Sequence, residues 1–247
     1  MQKYIAVVNP RMDDDEISHL IAKDIAGALF EISHQNYPLA AKLIRQIKEL
    51  ARRQKRPVSI IQDVSAMNNP LDLEFGLRNG VDWIASNREA DLKRARGLDK
   101  LAGIIFKGRN IPKGIRVDSV MAANFMDPDA QVVGHKSGSI KHLISQHADQ
   151  ALLDSLIHVG GHAGATHIAV GDLDLAKALS WRRPNKKIVF APQDHSQAAR
   201  AGILWGVHPI FAGKDLSSSL KNVGLAKKGD RIVDATNIKH VAIHLVS

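Results

Sequence analysis

The segment Ser180–Phe211 constrains the fold more than any other part of the chain, because it has the pattern of one complete supersecondary unit. A basic turn that holds Pro184 ends the preceding helix, since proline cannot continue a helix. Lys187–Ala191 is a short apolar run typical of a strand, Gln197–Leu204 has helical composition, and Val207–Phe211 follows as a second strand. A strand, a helix and a strand of this length form a βαβ crossover, which predicts a parallel sheet buried on both faces.

Bulk composition limits the classes of protein to which the chain can belong. Its 247 residues, 45% of them hydrophobic, are enough for two domains with cores of their own. The absence of cysteine excludes disulfides, thiol catalysis and zinc–thiolate sites, and it fits a cytoplasmic protein. No apolar run approaches the roughly 18 residues of a membrane span, and no signal peptide is recognisable, so we expect no membrane partner.

The net charge of +9 indicates either anionic partners or a strongly solvated surface. Nucleic acid and anionic small molecules are the partners that such a charge attracts. Because the lysines and arginines are spread along the chain, a solvated surface is favoured. The basic helix Lys42–Arg56 lacks interleaved aromatic residues, which favours an outer structural helix over a nucleic-acid site.

Strand and helix patterns alternate through the first half of the chain. Candidate strands are Lys3–Val8, Gly27–Ile32, Val58–Gln62, Val81–Ala85 and Gly103–Lys107, and candidate helices are Asp13–Asp24, Pro38–Arg53, Leu71–Arg78 and Arg88–Arg96. Repeated β-then-α units predict a parallel α/β architecture, either an open sheet or a barrel. The pattern weakens over 116–139, where we place a boundary between domains of residues 1–138 and 139–247. The second domain has further candidates in the strand His167–Val170, the helix Asp174–Trp181 and the strand Ile238–Val246.

The last third of the chain contains two distinctive sequence segments. The first has RRP, an apolar strand and then QAARAGILWGVHPIF, and the second is GLAKKGDRIV over 224–233. Both resemble the C-terminal domain of pyruvate kinases. In the first half, ALFEISH, VSIIQD, DLEFGLRNGVDWIAS and GIIFKGRN resemble segments of the barrel of that family. The resemblance implies a shortened (β/α) barrel that lacks the lid domain, followed by a doubly wound parallel α/β domain. It also implies a homo-oligomer, since family members usually assemble as tetramers.

The first domain is short for a barrel of eight βα units, which typically needs about 200 residues or more. We therefore expect an incomplete barrel whose exposed strand edges are covered by another subunit.

The chain departs from the family at positions that handle phosphate. The resemblance places a phosphate-clamping arginine at Leu29, and monovalent-cation ligands at Glu31, Ser33, Asp63 and Val64. Phosphoryl transfer depends on positioned cations that cancel charge on the moving group, so a leucine at the clamp removes one of them.

The chain also departs from the family at the positions of the magnesium ligands. One family carboxylate falls on Arg109, whose guanidinium would repel the metal. The segment that supplies the catalytic lysine and the other magnesium ligand has no counterpart between Leu98 and Leu101. We therefore expect no pyruvate kinase activity and no cofactor, with magnesium or potassium as the alternative.

A catalytically inactive pyruvate kinase-like protein, which acts in binding, in regulation or as a scaffold, is the function that we expect. One alternative is an enzyme with altered chemistry on a phosphorylated or carboxylated small molecule. The other alternative is a nucleic-acid-associated basic protein.

Candidate ligand-binding residues fall where barrel strands end, because barrel sites form at that end. They are Glu31, Ser33, Asp63, Lys107 and Arg109. Glu31 and Asp63 could hold a divalent ion, but the pairing of one of them with a lysine is favoured. Lys107 and Arg109 would either bind an anion at the same mouth or lie in a solvated loop.

Two further patterns are weighed against structural roles. His158, His162 and His167 suggest a metal site, but Gly160-Gly161 interrupts the turn, so a structural or surface role is favoured. The resemblance places a phosphate-binding allosteric loop at GDLD, residues 171–174, where two carboxylates oppose an anionic ligand.

Overall fold

The chain has an α/β fold in a computed structural model. The structure describes residues 3–67, 69–100, 102–107, 119–127, 130–134, 150–182, 184–213 and 215–247. The chain forms two compact units, Gln2–Lys136 and Ser137–Ser247. Within the described ranges, every helix is too short or too polar to cross a membrane.

The first unit alternates strands and helices up to its fifth strand. Its elements are β1 (Lys3–Val7), α1 (Asp14–Ala22), β2 (Gly27–Glu31), α2 (Tyr37–Arg53), β3 (Ser59–Asp63), α3 (Pro70–Arg78), β4 (Trp83–Ser86), α4 (Glu89–Leu98), β5 (Gly103–Lys107), β6 (Ser119–Asp127) and β7 (Ala130–Gly134). The five sequence-predicted strands and four helices of this half all have counterparts here, with ends that differ by a few residues.

The strands of the first unit close into a barrel in the order β1 to β7. Neighbours from β1 to β6 are parallel, with Leu29 opposite Ile61 in the β2–β3 pair as one example. The last strand, β7, runs antiparallel to both β6 and β1, with Tyr4 opposite Val132. The expected open edges are therefore wrong for this unit, because the return strand β7 pairs with β1 and leaves the ring without an edge.

Gln62 shows which side of each barrel strand faces outward. Its Nε2 donates to the carbonyl of Asp72 in α3 at 3.0 Å, so this side chain lies between the sheet and the helix layer. Side chains alternate along a strand, so Ile61 and Asp63 face the barrel interior. The interior is filled below Asp63 by apolar groups that include the fully buried Trp83.

Helix α2 covers the barrel with one apolar face. The residues that it buries share helical spacing: Ala40, Leu43, Ile44, Ile47 and Ala51. Helix α1 begins with a capping box, in which the Asp13 side chain accepts from the backbone N–H of Glu16 at 2.9 Å and the Glu16 side chain accepts from that of Asp13.

Gly103 is required by the packing of Trp83 against β5. A Cβ at Gly103 would lie 2.2 Å from a ring carbon of Trp83, which is fully buried and cannot move aside. We expect Gly103→Ala to lower the free energy of unfolding by about 1–3 kcal/mol through overpacking, as measured by urea denaturation. Gly97, in α4, has open space around its Cβ position. Gly97→Ala should therefore raise stability by about 0.5–1 kcal/mol, and an equal loss in both variants would contradict this account.

The second unit is built around one five-stranded sheet. Its elements are α5 (Gln150–His162), β8 (His167–Val170), α6 (Leu173–Arg182), β9 (Lys187–Phe190), α7 (His195–Gly202), β10 (Val207–Pro209), α8 (Leu216–Asn222), β11 (Arg231–Asn237) and β12 (His240–Leu245). The strand order is β10-β9-β8-β11-β12. The predicted βαβ crossover is β9-α7-β10, whose two strands are parallel with Val207 opposite Ile188.

The sheet of the second unit is mixed rather than purely parallel. Strands β8 to β11 are parallel, but β12 runs antiparallel to β11, with Val233 opposite Ile243. A purely parallel sheet was the prediction, so this edge is a correction. The reason is the tight connection from β11 to β12, since only two residues, Ile238 and Lys239, separate the two strands.

Candidate functional site

Among the described residues, these side chains lie at the carboxyl end of the barrel, which we call the barrel mouth: Val7, Glu31, Asp63 and Lys107. The strand register brings them together, because Glu31 is opposite Asp63 and both lie on the inner face. Val7 and Glu31 are exposed, whereas Asp63 is buried.

Asp63 and Lys107 form an ion pair inside this mouth. The Nζ of Lys107 donates to Oδ2 of Asp63, and the other carboxylate oxygen accepts from the backbone N–H of Ser65 at 2.9 Å. The Asp63 side chain is 7% exposed and that of Lys107 is 28% exposed, so water screens the pair only partly. Both carboxylate oxygens are thus already bonded within the protein.

Ala85 leaves room for this pair. It lies opposite Asp63 in the β3–β4 register, on the inner face of the next strand. Its small side chain allows the long Lys107 side chain of β5 to reach across β4 to Asp63. The pairing of an acidic candidate with a lysine, which the sequence favoured, is what the structure has.

Glu31 and Ser33 are not part of this ion pair. The backbone N–H of Ser33 donates to Oδ1 of Asn36 at 2.9 Å, which fixes the turn after β2. The carboxylate of Glu31 is exposed and has no hydrogen-bond partner among the described residues. The structure therefore brings Glu31, Asp63 and Lys107 to one mouth, while Arg109 lies outside the described residues.

The barrel mouth offers little to a metal ion. Within the described ranges, no three histidine, aspartate or glutamate side chains converge in a way that could hold one. Glu31 and Asp63 form only a pair, and Lys107 already occupies the Asp63 carboxylate. A divalent cation at this point would have to displace an ammonium group.

Arg88 supports the mouth and was missed by sequence reasoning. Its guanidinium donates to the carbonyls of Val64 and Met67 at 3.0 Å each, and to Oδ2 of Asp91 at 2.7 Å. These bonds tie the turn after β3, which follows Asp63, to the start of α4. An arginine shortly after a strand was the only available signal, and such residues are too common to single out.

The mouth has an apolar layer where the resemblance places a phosphate clamp. Leu29 faces the interior, opposite Val7 and Ile61, and is 4% exposed. A side chain of this kind offers no charge to a phosphate.

The histidine candidates of the second unit have different environments. His158 and His162 are exposed on α5, with ring centroids 4.3 Å apart. His167 is buried at the start of β8, where its Nε2 is 3.0 Å from the carbonyl oxygen of Leu225 and its Nδ1 is 2.7 Å from the Thr166 hydroxyl. His167 is therefore structural, as the sequence favoured.

The two aspartates of the GDLD segment, residues 171–174, are bonded to neighbouring residues of the same chain. Asp172 accepts from the backbone N–H of Leu175 at 2.7 Å, and Asp174 pairs with Lys177 at 3.4 Å. A Cβ at Gly171 would lie 2.3 Å from the carbonyl oxygen of Thr236, so the loop after β8 lies directly against the end of β11. These strands flank the point where chain order reverses in the sheet, which is where parallel sheets bind ligands.

The chain matches no protein-family model and no curated protein sequence.

The Asp63–Lys107 pair gives a stability prediction. Lys107→Ala leaves a buried carboxylate with one backbone donor. We expect a loss of about 3 kcal/mol in the free energy of unfolding, at the low end for a buried pair because the Lys107 side chain is 28% exposed. In the double variant Lys107→Ala/Asp63→Asn, the amide oxygen keeps the Ser65 bond and carries no charge. Urea denaturation should show the double variant to be more stable than Lys107→Ala. A double variant that is equally or less stable would contradict the importance of the buried charge.

His167 gives a prediction about pH. Burial lowers its pKa from 6.5, so below pH 6.5 the unfolded chain takes up a proton that the folded chain does not. Stability should fall as the pH drops from 7 to 5, by up to about 1.4 kcal/mol for each unit below 6.5. Thermal denaturation of His167→Gln should show a smaller loss over this range, whereas His162→Gln, which changes an exposed ring, should follow the parent protein. Parallel curves for all three proteins would refute the assignment.

Proposed function

We propose that this chain is a non-catalytic relative of the pyruvate kinases that acts as a binding or scaffold protein. The observation that carries the proposal is the ion pair between Asp63 and Lys107. By the resemblance, Asp63 occupies the place of an acidic ligand for a monovalent cation. Here an ammonium group of the same chain already neutralises it, and a bound cation would have to compete with that group.

Leu29 supports the same conclusion. The phosphoryl-transfer reaction needs an array of positioned cations around the moving group. Leu29, which the resemblance aligns with the clamping arginine, is buried in the interior, and Lys107 is held by Asp63. The described part of the mouth thus has no cation that is free to bind phosphate.

Strand β12 supports a role in assembly, which the resemblance also implies. All six of its residues are exposed, and its outer edge pairs with no strand among the described residues of the second unit. Val241, Ile243 and Leu245 lie on one side of the strand and are each about half exposed or more. A long apolar edge of this kind favours pairing with another strand.

Two copies of β12 can pair with each other. In an antiparallel pair centred on Ile243, Val241 of one copy lies opposite Leu245 of the other, so apolar residues meet on one face. On the other face, each Ala242 lies opposite a His244, which avoids the approach of two imidazoles. The strand is self-complementary in this register, as a two-fold interface requires.

The catalytic part of the proposal is tested by a coupled assay with phosphoenolpyruvate, ADP, magnesium and potassium. We expect turnover no faster than in buffer, and turnover well above it would end the proposal. A thermal-shift screen with sugar phosphates, nucleotides and phosphoenolpyruvate then looks for binding without turnover. Slow conversion of a small molecule that is lost in Glu31→Gln would instead favour an enzyme with altered chemistry.

The assembly part is tested by light scattering after size-exclusion chromatography. We expect a mass that is a multiple of 27.0 kDa, and a smaller mass for Ile243→Lys because a charge in a paired apolar strand is unfavourable. Leu98→Lys is the matched control, since Leu98 is an exposed leucine in α4, and it should keep the parent mass. An unchanged mass in Ile243→Lys would exclude pairing through β12.

A further inference from the structure

The solvent face of α2 has an unusual charge balance. Residues 42–56, which run from the helix into the turn beyond it, contain seven lysines and arginines but one acid, Glu49. All seven cations are exposed, because the apolar residues of the helix lie on the opposite face.

Acidic partners account for only two of these cations. Arg53 pairs with Glu49, and Arg56 pairs with Asp24 at 2.7 Å. The other five have no acidic partner among the described residues, and we call them the basic face: Lys42, Arg45, Lys48, Arg52 and Lys55. Unpaired like charges held close together repel, so they favour an anionic partner that neutralises several at once.

The basic face is extended rather than a compact pocket. Lys42, Arg45 and Arg52 are spaced three and seven residues apart, which places them on one side of the helix. At 1.5 Å per residue, Lys42 and Arg52 are about 15 Å apart along the axis. This length suits a polymer with regularly repeated negative charges, such as a nucleic-acid backbone, better than a single small anion.

The surroundings of the basic face argue against a membrane as the partner. A helix that binds a bilayer surface inserts apolar side chains next to its cations. In α2 the apolar residues Leu43, Ile44 and Ile47 are each buried against the barrel and are at most 1% exposed. Only Leu39, near the first turn, is an exposed large apolar residue of this helix.

The amide and aromatic side chains of α2 and of its C-cap residue are already engaged within the first unit. Gln46 Nε2 donates to Asp14 at 2.6 Å, and Nε2 of the C-cap residue Gln54 donates to the Ser18 hydroxyl at 2.7 Å. Its aromatic residue, Tyr37, stacks on Phe75 with ring centroids 4.0 Å apart. Contacts from this face would therefore come from its lysines and arginines alone, whose contacts to phosphates position a protein but carry no sequence information.

We propose that the basic face of α2 binds the phosphate backbone of nucleic acid without sequence preference. The proposal does not depend on the function proposed for the barrel mouth, because the two surfaces share no residue. Asp14, which accepts from Gln46, bounds the basic face on the α1 side.

The test is fluorescence anisotropy with two labelled 20-base-pair DNA duplexes of unrelated sequence, at 50 to 200 mM salt. Three to five neutralised phosphates predict a slope of log K against log salt of about −3 to −4.5, which is roughly a 60- to 500-fold loss of affinity over this range. The two duplexes should bind with affinities within about threefold of each other, since each base discrimination would add more than that.

The variant Lys42→Gln/Arg45→Gln/Arg52→Gln should reduce the magnitude of the salt slope by about 2.7 and weaken binding at least about tenfold at 50 mM salt. The control Lys227→Gln/Lys228→Gln/Lys239→Gln removes the same net charge from exposed lysines of the second unit and should keep the parent slope and affinity. Glu49→Gln removes the acid within the face and frees Arg53, so it should tighten binding by about threefold. Thermal denaturation checks that each variant is folded.

Several results would overturn the proposal. They are no anisotropy change at 50 mM salt, binding that does not weaken with salt, and equal losses in the two triple variants. A strong preference for one duplex would also contradict it. If vesicles with anionic phosphatidylserine headgroups bind through the same three cations while the duplexes do not, the partner is a membrane surface and the proposal is wrong.

Discussion

A carboxylate can be buried only where a cation or several donors compensate for its lost hydration. At the barrel mouth this constraint is met within the chain, since Lys107 reaches Asp63 across the small Ala85 and the Ser65 amide holds the other oxygen. The neighbouring turn is in turn tied to α4 by Arg88. The chemistry available at the mouth is limited by this compensation, because Asp63 and Lys107, which could have bound an ion or a phosphate, are bonded to each other.

The two units differ in whether their sheets have an edge strand. The barrel has none, because β7 joins β1 to β6. The sheet of the second unit keeps an apolar edge at β12. The two surfaces proposed to bind partners, on β12 and on α2, therefore lie outside the barrel interior.

Local patterns predicted much of this architecture. The spacing of Leu43, Ile44 and Ile47 gave α2 and its buried face, and the apolar runs located β1 to β5, because each pattern depends only on near neighbours in sequence. The return strand β7 escaped prediction, since its partner β1 lies more than a hundred residues away. At the mouth, the residue types indicated an acid–lysine pair, but which lysine reached Asp63 depended on the register and on Ala85. Arg88 gave no distinctive local signal at all.

The pairing of β1 with β7 also affects synthesis of the chain on the ribosome. Val133 is translated 130 residues after its neighbour Lys3. At the usual rate of elongation this is a delay of roughly 7–26 s, during which one edge of the first strand has no partner. The nascent first unit therefore passes through a period in which it exposes a strand to other chains, and a chaperone that shields this strand would favour correct closure.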